Sequence, residues 1–220
     1  MEPYWSNEQH GLTIYLGDAI DVLAALPAGI AQCCVTSPPY WGLRDYGVEG
    51  QLGLERTPEE YTARMVEVFR GVRRVLREDG TVWGNWGDSY SGTRYSNHHN
   101  AFGGNAERVP AQAGSRGNGA PPGLKPKDLV GIPWRVAFAL QADGWWLRSD
   151  IIWAKANPMP ESVTDRPTSA HEHVFLLAAA QRYWYDAEAV RQVSEGNSGW
   201  AKSHAVDPDK RHLGIRQGIG

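Results

Sequence analysis

Two consecutive prolines at the exit of an apolar run leave the backbone of this chain few choices. Thr36-Ser37-Pro38-Pro39-Tyr40-Trp41 follows directly on residues 31–35, Ala-Gln-Cys-Cys-Val. Each proline disfavours the α region in the residue before it, so Ser37 and Pro38 are extended. Neither proline has an N–H, so a carbonyl in this turn meets few local donors. Residues 31–35 read as a strand, which places Thr36 and the turn at its carboxyl end, where open α/β sheets put their ligands. The turn then presents the Ser37 hydroxyl, the Pro38 carbonyl and the Tyr40 ring to one point. A planar amine suits that point: two acceptors for its two hydrogens, and a ring to stack on.

The chain has 220 residues, the size of one domain with a substantial core. Charged residues make up 21% and the formal net charge is −3. That is not the balance of a protein that coats nucleic acid, so any nucleic-acid contact must come from a local patch. The two cysteines, Cys33 and Cys34, are adjacent on the strand and point to opposite faces. They do not form an ordinary structural disulfide with each other, which fits a reducing cytoplasm. No apolar run approaches a membrane span, and the first ten residues, with Glu2 and Glu8, lack the pattern of a signal peptide. Ten tryptophans are core material first, and aromatic platforms second.

Taken in order, residues 13–17 read as a short buried strand, and Asp18 caps a helix over 19–26 that Pro27 ends. After the turn, 42–56 is a glycine-rich loop whose Arg44 is open equally to a phosphate and to Asp45 or Glu49. Thr57-Pro58-Glu59-Glu60 is a helix start with its cap, an N1 proline and a glutamate three after the cap. The spacing of Tyr61, Met65, Val68, Phe69, Val72, Val75 and Leu76 carries this helix to about residue 77, with a buried stripe. Arg70, Arg73, Arg74 and Arg77 lie on or near its other face, a solvated face before it is a nucleic-acid contact. Residues 81–88 read as the next strand and its exit, where Asn85 and Asp88 either shape a pocket or cap a turn.

Residues 89–126 turn to Gly, Asn, Ser, Ala and Pro, with Arg94, Arg108 and Arg116. The segment is too long for a plain connection, so it is either disordered alone or an insertion that orders on binding. His98-His99 without Cys or acidic partners at ligand spacing does not make a metal site. Residues 127–143 read as helical with Pro133 in a first turn or at a kink, 145–154 as an alternating strand, and Lys155-Ala156-Asn157-Pro158 as a loop at its end. A polar connection over 157–170, with Arg166-Pro167-Thr168, leads to a buried strand over 171–179. Tyr183-Trp184-Tyr185-Asp186 reads as a strand paired with it, with Gln181-Arg182 at the turn. Residues 192–220 form a polar, glycine-rich tail.

Ser37-Pro38-Pro39-Tyr40 resembles the catalytic motif of the DNA amino-methyltransferases, which methylate N4 of cytosine or N6 of adenine with S-adenosylmethionine. Gly17-Asp18 ahead of it, and Asp150 to Lys155 and His171 to Leu177 after it, are similar to further blocks of the family's permuted class, in the family's order. The resemblance covers roughly residues 11–190. It implies an α/β, Rossmann-like methyltransferase fold, a mostly parallel sheet with an antiparallel hairpin at one edge, incomplete at the C-terminus. Residues 1–191 are then the catalytic domain, with 89–126 as a flexible insertion and a candidate DNA-contacting region. The resemblance assigns catalysis to Ser37, Pro38, Pro39 and Tyr40; cofactor contacts to Asp18, Thr36 and Ser37; and substrate contacts to Tyr40, Trp41, Arg44, Lys155 and Asn157. It calls for double-stranded DNA and no metal or membrane. Ser rather than Asp at position 37 tilts the expectation toward N4 of cytosine.

One family element is missing. The family holds its cofactor with a strand followed by a Phe-x-Gly-x-Gly loop that opens a helix. Gly214 to Gly220 has the glycine spacing, but no apolar strand leads into it. The resemblance therefore implies either an enzyme completed by a second polypeptide that supplies the loop, or a truncated, non-catalytic DNA-binding or partner-binding module. Enzymes that methylate protein glutamine amides or RNA amines use Asn-Pro-Pro-Tyr, and Ser37 with the permuted order argues against them. A restriction system and a phage-borne solitary enzyme are equally open as settings.

Overall fold

A computed structural model describes residues 1–91 and 123–191. The expectations for most of the 89–126 insertion, for His98-His99 and for the tail over 192–220, Gly214 to Gly220 included, lie outside the described residues. The chain separates into a compact unit, Met1–Trp184, and a second, Tyr185–Gly220. In the described part of the second, Asp186 Oδ1 accepts from the Glu188 and Ala189 amides.

The first unit holds a four-stranded sheet made of β3 (Ala31–Thr36), β4 (Leu76–Trp86), β5 (Trp146–Ala154) and β6 (His171–Ala178), in the order β3-β4-β6-β5. β3 and β4 are parallel, and β6 runs antiparallel to both β4 and β5. β5 therefore runs in the same direction as β3 and β4, and the sheet is mixed where a mostly parallel one was expected: β3–β4 is its parallel pairing, and β6 lies antiparallel to both its neighbours, with β5–β6 at one edge. The strand expected over 183–186 does not form: both edges of β6 are already taken by β4 and β5, and the Trp184 amide bonds instead to the Asp79 carbonyl.

The expected buried strand over 13–17 also differs. β2 (Leu12–Ile14) pairs antiparallel with β1 (Trp5–Asn7), outside the main sheet, and its residues are exposed. The apolar run was legible; its partner, Trp5-Ser6-Asn7, is too short and polar to signal a strand.

Helix α1 (Ala19–Ala25) starts on Asp18, whose Oδ1 accepts from Ile20 N at 2.8 Å. Helix α2 (Pro58–Val75) starts on Thr57, whose Oγ1 accepts from Glu60 N at 3.1 Å, while Glu60 reaches back to the Arg56 amide. Its expected stripe is buried, from Tyr61 to Val75; full burial of such side chains stabilises by roughly 1.5–3 kcal/mol each. α2 stops at Val75 because Leu76 enters β4 at once. β4 is longer than expected, and its pairing with β3 is irregular between the partners Ala31↔Leu76 and Cys33↔Thr81.

Of the four arginines expected on the far face, Arg77 falls in β4, while Arg70, Arg73 and Arg74 lie on α2 and have partners within the fold. Arg70 pairs with Asp143, Arg73 donates to the Ala179 carbonyl and lies over the Trp145 ring, and Arg74 bonds the Leu23, Ala24 and Leu26 carbonyls at the end of α1. Helix α3 (Ile132–Ala142) is shorter than the expected 127–143, with Pro133 in its first turn. The core joins α2, α3 and the sheet around Trp86, whose ring stands 5.5 Å from Phe69 and 6.2 Å from Phe175. Gly84 makes room for it, since a Cβ there would lie 2.2 Å from the Trp86 ring. No helix among the described residues is long and apolar enough to cross a membrane.

Candidate active site

The parallel register Thr36↔Gly84 ends β3 and β4 side by side, and Trp86↔His173 and Ala154↔His171 bring the start of β6 and the end of β5 to the same rim. The turn after β3 thus opens onto the carboxyl ends of three parallel strands, the usual ligand side of such a sheet.

Within the turn, Ser37 is exposed. The Pro39 carbonyl accepts from Tyr61 Oη at 2.9 Å and the Tyr40 carbonyl from Leu43 N at 3.3 Å, while no backbone or side-chain donor reaches the Pro38 carbonyl among the described residues. Burial, then the Glu55 carboxylate and Tyr40, push the Tyr61 phenol well above its ordinary value, so it stays protonated as the donor to Pro39. Tyr61 showed in the sequence only as a core position; its hydroxyl is what pins the turn. Gly53 adds a close approach: at φ +97 it stacks against the turn, and a Cβ there would lie 2.9 Å from the Tyr40 carbonyl oxygen.

Tyr40 is half-buried and anchored at both ends. Its ring rests on Gly87, where a Cβ would fall 2.4 Å from Tyr40 Cδ2. Its hydroxyl donates to Asn85 Oδ1 and lies 3.4 Å from Glu172 Oε2. Asn85 Nδ2 donates to the His173 carbonyl at 3.2 Å, which turns the amide oxygen toward the tyrosine. Burial first, then the charge of Glu172 and its hydrogen bond, raise the Tyr40 phenol far above its ordinary value, so the ring is a neutral platform. Lys155 joins the group through an ion pair with Glu172 Oε1.

The other expected site residues divide. Trp41 does not line the site: it is buried in the core, and its indole N–H donates to the Glu55 carbonyl at 2.9 Å. A large ring directly after the turn had an apolar cavity under α2 to fill, and burial outweighed exposure. Arg44 and Asn157 are exposed on loops, without contact to the turn, and Asp45 spends its carboxylate on the Gly47 amide. Asp18 caps α1, and no contact joins it to the turn among the described residues. Of the two open candidates on β4 and its exit, Asn85 belongs to the pocket and Asp88 to a cap: Asp88 accepts from the Gly131 and Ile132 amides at the start of α3. No group of His, Cys, Asp or Glu among the described residues could hold a metal ion.

The strand-end turn presents a hydroxyl, a carbonyl that meets no donor among the described residues and an anchored ring at the rim of a Rossmann-like sheet. Residues 31–214 match the model of the N6/N4 DNA methylase family, and the chain belongs to that family. It is 52% identical over 193 residues to the Type II methyltransferase M.Cfr9I of Citrobacter freundii, an alignment covering 87% of this chain and 62% of the relative. With the Type II methyltransferase M.SmaI of Serratia marcescens it shares 51% over 180 residues, 81% of this chain and 60% of the relative. The chain thus spans about three fifths of these relatives. The PvuII DNA methyltransferase (cytosine-N4-specific) has a similar fold, with a TM-score of 0.54 at 16% identity over 86% of this chain and 60% of that one.

Proposed function

We propose that this chain carries the methyl-acceptor site of a site-specific DNA methyltransferase, acting on the exocyclic amine of a flipped base, N4 of cytosine ahead of N6 of adenine. One observation carries this reading: the exposed Ser37 hydroxyl and the Pro38 carbonyl, free of donors among the described residues, stand beside a Tyr40 ring held by Gly87, Asn85 and Glu172. An exocyclic amine is a poor nucleophile because its lone pair is delocalised into the base. Ser37 and the Pro38 carbonyl accept its two hydrogens, which draws the nitrogen toward sp³ and localises the pair; acceptors aimed at developing charge act on the transition state. Leaving the duplex costs the base a few kcal/mol, and stacking on Tyr40 returns on the order of 1–3 kcal/mol. Ser37 favours cytosine, and the fold neighbour named as cytosine-N4-specific points the same way.

The cofactor is S-adenosylmethionine, which supplies an electrophilic methyl group when bound. Thr36 and Ser37, at the exit of β3, and Asp18 are the residues of this chain that would meet it; the Asp18 carboxylate keeps acceptor capacity beyond its one bond to Ile20 N. Among the described residues, the sheet beside them is open. β3 is an edge strand, and Val35 on it is 80% exposed. A second polypeptide bearing the glycine loop and its strand would cover that edge and complete the cofactor site, and the assembly would act on double-stranded DNA in the cytoplasm. A non-catalytic DNA-binding module is the second reading, favoured by the same open edge.

The test is to incubate the chain with S-adenosylmethionine and unmethylated plasmid DNA, digest the DNA and measure modified nucleosides by mass spectrometry. N4-methylcytosine is expected, and N6-methyladenine would correct the base. If neither forms, whether with the chain alone or with a glycine-loop polypeptide added, the catalytic reading falls and the binding-module reading stands.

A further inference from the structure

Glu172 meets no substrate in the reaction as described so far, yet it touches Tyr40 and Lys155 at once. It lies one residue into β6, opposite Trp153 of β5, and the Lys155 amide bonds the Ala170 carbonyl at 2.8 Å. This register sets the Lys155 and Glu172 side chains together at the sheet rim. One carboxylate oxygen pairs with the Lys155 ammonium, and the other lies 3.4 Å from Tyr40 Oη. The carboxylate is three-quarters shielded from solvent, so its charge acts on the phenol with less screening than a surface pair has.

The Tyr40 hydroxyl has a single proton and faces two acceptors, Asn85 Oδ1 and Glu172 Oε2. The Asn85 oxygen is fixed in place by the amide's other bond, to the His173 carbonyl. An ionised Glu172 cannot donate, so it fixes the sense of the contact: the phenol donates and does not accept. Lys155 balances the charge on the far oxygen.

We propose that Glu172 is a positioning residue of the methyl-transfer site, tying the Tyr40 hydroxyl and the Lys155 ammonium into one unit that fixes the plane of the stacking ring and the place of the cation at the rim. The inference rests on the proposed methyl-transfer function. Glu172→Gln keeps the shape and removes the charge; its amide N–H₂ can turn toward the phenol oxygen, and Lys155 loses its ion pair.

Two readouts separate this inference from the functional reading. In the chain labelled throughout with 3-fluorotyrosine, the Tyr40 fluorine resonance is identified by its loss in Tyr40→Phe and followed through a pH titration. Fluorination lowers the phenol's midpoint and supplies the resonance that reports it. Removal of the neighbouring negative charge should lower the Tyr40 midpoint in Glu172→Gln by about one pH unit, with the other tyrosines unmoved and the melting temperature retained. In single-turnover methylation of plasmid DNA, Glu172→Gln should lose roughly ten- to a hundredfold in rate, with a much smaller change in the KM for DNA, and Glu172→Asp should recover part of the loss. An unmoved Tyr40 midpoint overturns the proposal, and so does an unchanged rate. If the wild-type chain transfers no methyl group, either alone or with the glycine-loop polypeptide added, the functional reading fails on its own, and the titration alone decides whether Glu172 governs Tyr40.

Discussion

Gly87 has no side chain to offer the reaction, yet the position of the Tyr40 ring depends on it. A methyl group there would stand 2.4 Å from Tyr40 Cδ2, and the ring cannot yield freely because Asn85 and Glu172 hold its hydroxyl. Gly87→Ala should cost about 1–3 kcal/mol of stability, as overpacking does. It should also lower the transfer rate by about a hundredfold, the cost of a misplaced group of ångström size. Denaturant melts and single-turnover assays on the same variant check both, and an unperturbed rate would mean the ring bears no base. Ser37→Ala tests the other side of the amine. Removing one of two acceptors should cost at least about tenfold in rate, with stability unchanged since Ser37 is exposed; an unchanged rate would shift the whole burden to the Pro38 carbonyl.

At the level of elements, Asp88 joins β4 to α3, and the desolvation of its carboxylate makes the joint sensitive to pH. It accepts from the Ser89, Gly131 and Ile132 amides, and desolvation outweighs those bonds to raise its carboxyl above the ordinary value. A raised carboxyl binds its proton more tightly folded than unfolded. Its contribution to stability is therefore present at low pH and is lost as pH rises through the folded value. Asp88→Asn keeps an acceptor for the cap and removes the titration, so the wild type minus Asp88→Asn difference in unfolding free energy should fall with rising pH in the window just above the usual carboxylate range. A flat difference, measured by urea unfolding, would mean that the backbone amides fully offset the desolvation.

Elements with local signals were legible. Thr57-Pro58-Glu59-Glu60 announced α2, Asp18 announced α1, and the prolines after β3 announced the turn. The position of β6 between β4 and β5, which excluded a strand at 183–186, is set by β4–β6 pairings across more than eighty residues and leaves no local trace. The same holds for the site: Ser37 to Tyr40 stand in a row, whereas Asn85, Gly87 and Glu172 reach Tyr40 only through sheet register. Trp41 shows the converse, a residue adjacent to the turn in sequence that the core claims.

Over the whole molecule, charge decides how DNA is held. The formal net charge is −3, and most of the arginines of α2 are engaged with Asp143 and with carbonyls of the fold. Of the cations expected to meet substrate, Lys155 at the rim is already paired with Glu172, and Arg44 stands exposed on its loop. Each phosphate neutralised contributes about −0.9 to the slope of log affinity against log salt. A slope no steeper than about −4 is expected for DNA binding by this chain, measured by fluorescence anisotropy across a salt series. Arg44→Ala should shallow it by about one if that guanidinium meets a phosphate. A slope much steeper than this would place the cations in residues 92–122 or 192–220, whose arginines and lysines the sequence supplies, and deletion of each segment in turn would then identify which one grips the backbone. An affinity governed by so few phosphates would leave discrimination to the flipped base and its contacts with Ser37, Pro38 and Tyr40, the division expected when the cations position the duplex and the pocket selects the base.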